Sequence, residues 1–142
     1  MKRKLAVFTT LFILCAVMFA AQPSLQELKE KAAVAERKDQ PKLYVKIAEI
    51  EMKTIAGYYK NGDVDNGQAV LADLAEDCEK AASASATTRK QMKHTEIALR
   101  KIEKRLDNIA KSASFDYRSP IKEAEDRIEK ARSELVEAMF AK

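Results

Sequence analysis

The stretch MKHTEIALRKIEKRLDNIAKSA, residues 92–113, decides the fold, because its apolar positions recur at intervals of three and four. Met92, Thr95, Leu99, Ile102, Leu106, Ile109 and Ala113 fall on one stripe of a helix, a heptad seam. The spacing predicts a helix from about Thr87 to Ser112, a rod on the order of 40 Å long. Such a stripe must be covered, and the chain supplies a partner at once. Phe115-Asp-Tyr-Arg118 turns, Ser119-Pro120 opens a new helix, and Ile121, Ala124, Ile128, Ala131, Leu135 and Ala138 repeat the same interval. A connection that short predicts an antiparallel helical hairpin at about 87–141. Its packing seam is Leu99, Ile102, Leu106 and Ile109 against Ile121, Ile128 and Leu135.

Working towards the N-terminus, Asn61-Gly-Asp-Val-Asp-Asn-Gly67 reads as a turn. Gly62 supplies the left-handed residue that closes one helix, and Asp63 or Asp65 caps the next. The helix before it, about 41–60, carries Leu43, Ile47, Ile50, Thr54 and Tyr58 on one stripe, with Tyr44, Ala48, Ile55 and Tyr59 beside them. Lys42, Lys46, Glu49, Lys53 and Lys60 make its wet face. The helix after the turn places Gly67, Leu71, Leu74, Cys78, Ala81 and Ser85 on one side, so a first hairpin spans about 41–84. A short leading helix at about 24–38 begins with Ser24-Leu-Gln-Glu27, which has capping-box spacing. No segment reads as a strand. The expected fold is all-α: an antiparallel helical bundle or stacked helical hairpins, forming one domain over 22–142.

Residues 1–21 read as an N-terminal signal peptide. Met1-Lys-Arg-Lys4 is the charged start, Leu5–Phe19 the apolar segment, and Ala20-Ala21 the small residues before a cut. Export to the periplasm or outside the cell is therefore expected; an uncleaved signal would be the one membrane contact. Of the 26 Lys and Arg, three leave with that segment and none of the 22 acids does, so 23 bases then meet 22 acids. That balance excludes a bulk-charge case for nucleic acid. Charge is nevertheless uneven. Residues 61–85 hold six acids and one Lys, and residues 86–111 hold eight Lys or Arg and three acids. Consecutive helices of opposite charge are expected to lie side by side.

Several sites are weighed against plainer explanations. Arg89, Lys90, Lys93, Arg100, Lys101, Lys104 and Arg105 form a candidate anion-binding face on the third long helix, without interleaved aromatics that would stack on bases. The plainer explanation is a solvated face. Cys78 and His94 are the single Cys and His after residue 21, yet His94 falls on the outward side and Cys78 on an apolar stripe, where a thiol stays protonated. Asn61-x-Asp63-x-Asp65 starts like a calcium loop, but Asn66 and Ala72 occupy the places of its Gly and Glu. No cofactor, metal or catalytic constellation is expected.

Over residues 51–79 the chain resembles a tetratricopeptide unit. Around Gly62-Asp63, the family's helix-A Tyr falls on Tyr58, its packing Ala on Gly67, and its second-helix aromatic on Leu71. The match does not recur 34 residues on. The resemblance implies protein–protein contact and no catalysis. The expected function is an exported, non-enzymatic interaction or scaffold module that binds a protein or itself. The alternative is a peripheral envelope protein binding anionic lipid or polymer through the basic helix.

Overall fold

A computed structural model of the chain describes residues 23–142; the expected signal segment lies outside the described residues. Those residues form five packed helices and no strand: α1 (Leu25–Val34), α2 (Gln40–Lys60), α3 (Val64–Thr88), α4 (Met92–Ser112) and α5 (Arg118–Phe140), with a 3-10 turn at Phe115–Tyr117 before α5.

Local chemistry sets the ends. Ser24 closes the capping box on α1: its Oγ accepts from the Glu27 amide at 3.2 Å, and the Glu27 carboxylate accepts from the Ser24 amide at 3.1 Å. This helix stops at Val34, short of the expected 38, because Ala35 is extended at φ −66 and ψ 155. The Gln40 side chain then donates to the free Ala32 carbonyl at 3.3 Å, covering one of the acceptors that a helix end leaves over. At the α2–α3 turn Gly62 takes φ 75, the conformation expected of it. Asp63 is the N-cap residue but makes no side-chain cap; its carboxylate accepts from the Asn66 side-chain amide at 2.7 Å instead. Gly67 lets the two helices approach, since a Cβ there would meet the Tyr59 ring at 2.7 Å.

One boundary corrects the sequence-based expectation. The chain reverses at Arg89–Gln91, not at 85–86, so the first hairpin runs to Thr88 and the second starts at Met92. Ser85 is buried and its hydroxyl pairs with that of Thr95 at 2.7 Å, which keeps the segment helical past the expected break. Arg89 and Gln91, both at φ 58, then end one helix and start the next.

The four long helices form a ring in the order α2, α3, α5, α4, with α1 laid against α2. On α5, Lys122 meets Asp107 late in α4, while Arg132 meets Glu103 and Glu96 earlier in it, so those two helices run antiparallel. The core inside the ring takes Val45, Met52 and Ile55 from α2, Leu71, Leu74 and Cys78 from α3, Leu99, Ile102 and Leu106 from α4, and Ile121, Ile128 and Leu135 from α5. Ile109 is partly buried against the same core. A second, smaller cluster joins Leu28 and Ala32 of α1 to Ile47. Having neighbours on two sides, α2 buries more than one stripe. Val45 and Met52 belong to its core face, whereas Thr54 of the expected stripe is exposed.

Ring order overturns the expected charge match between α3 and α4. They face each other across the core rather than side by side, and no ion pair links them among the described residues. Three acids of α3 are met by other helices: Glu79 takes a two-point contact from Arg127 of α5 at 2.9 and 2.8 Å, and Asp73 and Asp77 meet Lys29 of α1.

Candidate interaction surface

The same ring order divides the seven basic residues of the candidate anion face. Arg89 and Lys90 are not on α4; they sit in the turn before it. There the Arg89 guanidinium donates to the Ala138 carbonyl at 2.5 Å and to the Ala141 carbonyl at 3.4 Å, capping the end of α5. Lys93 is exposed near the start of α4. Arg100 and Lys104 turn towards α5 and line a shallow depression crowded with Glu103, Asp107, Glu125 and Glu129. Arg100 also pairs with Glu96 at 3.3 Å. Lys101 and Arg105 turn the other way, towards α2.

Between α2 and α4 those two residues meet cations that the sequence placed on another helix. Lys46, Glu49, Ile50 and Lys53 of α2, with Ala98, Lys101, Ile102 and Arg105 of α4, line a groove of about 390 Å³. Ile102 and Ala98, 2% and 5% exposed, close its bottom as part of the core, and half-buried Ile50 with the aliphatic stems of the cations supplies its accessible apolar surface. All four cations are exposed, and none is in an ion pair with a described residue. Glu49 is the one acid in the groove. Apolar surface between cationic rims is complementary in chemistry to an amphipathic anion. Lys46 and Lys53 were readable as wet-face residues; that α2 neighbours α4 was not.

On the other side of α2 lies a polar cluster that is buried at Glu51 and Asp77 and open to solvent at Lys29 and Asp73. Lys29 of α1 reaches Glu51 at 2.7 Å and both Asp73 and Asp77 at 3.3 Å. Glu51 is fully buried. Burial pushes its carboxyl up from 4.5 to about 7, with Asp77 adding to the rise and Lys29 opposing it. Burial pulls the Lys29 ammonium down, but Glu51, Asp77 and Asp73 outweigh that and hold it above its ordinary value. The signal for this cluster was in the sequence: Glu51 is in phase with Tyr44, Ala48 and Ile55, an acid where the stripe calls for an apolar residue.

Catalytic and metal-binding groupings do not assemble from the sequence candidates. Cys78 is a free cysteine in the core, and burial foremost pushes its thiol well above the ordinary range. His94 is exposed on α4, so the two make no dyad. Among the described residues no group of three or more His, Cys, Asp or Glu could hold a metal ion. No helix among them is long and apolar enough to cross a membrane. The chain matches no protein-family model, no curated protein and no solved structure.

Proposed function

We propose that this chain is an exported, non-enzymatic helical module that binds another protein, with the α2–α4 groove as its contact surface. The observation that supports it is the set of four cations around an apolar floor, Lys46, Lys53, Lys101 and Arg105. Many cations elsewhere are engaged inside the fold, among them Lys29, Arg89, Arg127 and Arg132. The four charges at the groove pair with no described residue, and what sets them apart from other exposed cations is that they flank one concavity. Residues 1–21 are its signal peptide. The tetratricopeptide-like residues of 51–79 agree with a protein partner. The division of the basic residues weighs against lipid or polymer binding by a continuous basic face of α4, because Arg100 and Lys104 look towards acids while Lys101 and Arg105 look towards α2.

Photo-crosslinking in the producing cells tests this. A photoreactive residue replaces Ile50 at the groove and, in separate chains, Phe115 and Phe140, which are 83% and 81% exposed at the ends of the bundle. The expected result is a protein adduct at position 50 on a chain whose N-terminus is at or next to Gln22. Adducts from none of the three positions, or a chain that never leaves the cytoplasm, would overturn the proposal.

A further inference from the structure

We infer that the groove's occupant is an acidic amphipathic helix of the partner, an inference that rests on the protein-binding function just proposed. Shape is the first argument. Ile102 and Ala98 lie at the bottom of a concavity whose sides carry long cationic chains. A flat bilayer surface cannot touch rim and floor together; a rod can. Both walls are helices, whose backbone N–H groups are used internally, so the groove offers nothing for an added β-strand to pair with.

Spacing is the second argument. Lys46 and Lys53 are seven residues apart on α2, roughly 10 Å along its axis, and Lys101 and Arg105 are four apart on α4, roughly 6 Å. Carboxylates repeating at four and seven on a guest helix match both rails, and the apolar stripe between them packs on Ile50 and the stems of the rim cations. A groove of about 390 Å³ accepts such a stripe and not a folded domain. Glu49 gives the guest a direction, since it favours a Lys or Arg at one point among its acids.

The test uses the exported protein and a peptide of about 16 residues, with Leu on one face at helical spacing and Glu on either side of it. Anisotropy should show binding that weakens with added salt. Lys101→Glu with Arg105→Glu should weaken it by about tenfold or more, while Lys104→Glu leaves it within about twofold. A peptide carrying Lys for Glu should bind the double variant better than the native protein. Each variant is first checked for an unchanged melting curve, as expected for exposed side chains. No binding of the acidic peptide, equal binding by the double variant, or tighter binding to phosphatidylglycerol vesicles would overturn the inference. If position 50 still crosslinks to a protein while the peptide fails, the occupant is wrong and the binding function stands. Crosslinks from none of the three positions remove the function itself.

Discussion

The α4–α5 contact and the seating of α1 on α2 hold this molecule together by different means. Between α4 and α5, Leu99, Ile102 and Leu106 share a continuous core with Ile121, Ile128 and Leu135, all fully or almost fully buried. Ion pairs such as Arg132 with Glu103 at 2.7 Å sit along the margin. Under α1 the buried apolar contact is Leu28 and Ala32 on Ile47, with partly buried Leu25, Leu43, Tyr44 and Ile50 around it, and beside it sits the charged set around Lys29. A contact made of apolar area responds to volume and hardly to pH. One centred on a buried carboxylate has a smaller hydrophobic reserve and responds to protons. On that difference α1 is expected to lose protection before α4 and α5 do.

The largest effect is expected at the apolar seam. Leu106→Ala should cost about 2–4 kcal/mol in chemical denaturation, because the cavity lies among fully buried neighbours. Its surface control Lys104→Ala should change stability by under about 0.5 kcal/mol. A harmless Leu106→Ala would remove the seam from the account of this fold.

Next comes Lys29→Met, expected to cost about 1–3 kcal/mol by leaving buried Glu51 without its cation, while Asp77 keeps Lys80 at 4.0 Å. The loss is limited because Glu51 can take up a proton instead of staying charged and unpaired. Hydrogen exchange should localise the change: α1 amides lose protection while those of α4 and α5 keep theirs. Uniform loss across all helices would mean that α1 is not a separable unit.

A third measurement belongs to the core side. Cys78→Ala should cost about 1–2 kcal/mol, since a small thiol leaves a small cavity. The native thiol should resist labelling until the protein unfolds, because it is fully buried and held protonated. Rapid labelling of the folded chain would contradict its placement.

The last effect is read as a slope across pH and not as a single difference. Burial foremost raises Glu51 from 4.5 to about 7, so between those values the folded state binds more protons than the unfolded one. Its contribution is therefore fully present below about 4.5 and is lost as pH rises through about 7. In Glu51→Gln that fall should disappear, with the variant gaining on the native chain as pH rises. A native stability curve that is flat or rising across this window would show that Glu51 titrates normally.

How far the sequence reached depended on whether the information was local. Gly67, Leu71, Leu74, Cys78, Ala81 and Ser85 were assigned to one face of α3 from spacing alone, and all six are buried. The α4 and α5 stripes likewise lie on the core side, with Met92, Ile109, Ala113 and Ala138 partly open at or near the helix ends. The stripe on α2 was less legible, because a helix with neighbours on two sides has no single apolar face. The burial of Glu51 is hard to read from sequence for a related reason: a charged residue is read as exposed unless its partner is known, and its partner is Lys29 on another helix. The groove cations Lys46 and Lys53 were seen, but as ordinary solvated residues.

The amino-acid sequence by itself determined that the described chain is helical, roughly where each helix turns, and which side of α3, α4 and α5 is apolar. Those properties arise from hydrogen bonds and side-chain repeats within a few residues, so spacing suffices to read them. Tertiary structure decided the ring order α2, α3, α5, α4. Opposite net charge on α3 and α4 pointed to the wrong neighbours, because surface ion pairs contribute little each while the shared core contributes far more. Once the apolar stripes had chosen their ring, Lys29 was set over Glu51, Arg127 over Glu79, and Lys101 and Arg105 beside Lys46 and Lys53. No helix encodes that last juxtaposition alone, because it depends on how four stripes divide one core.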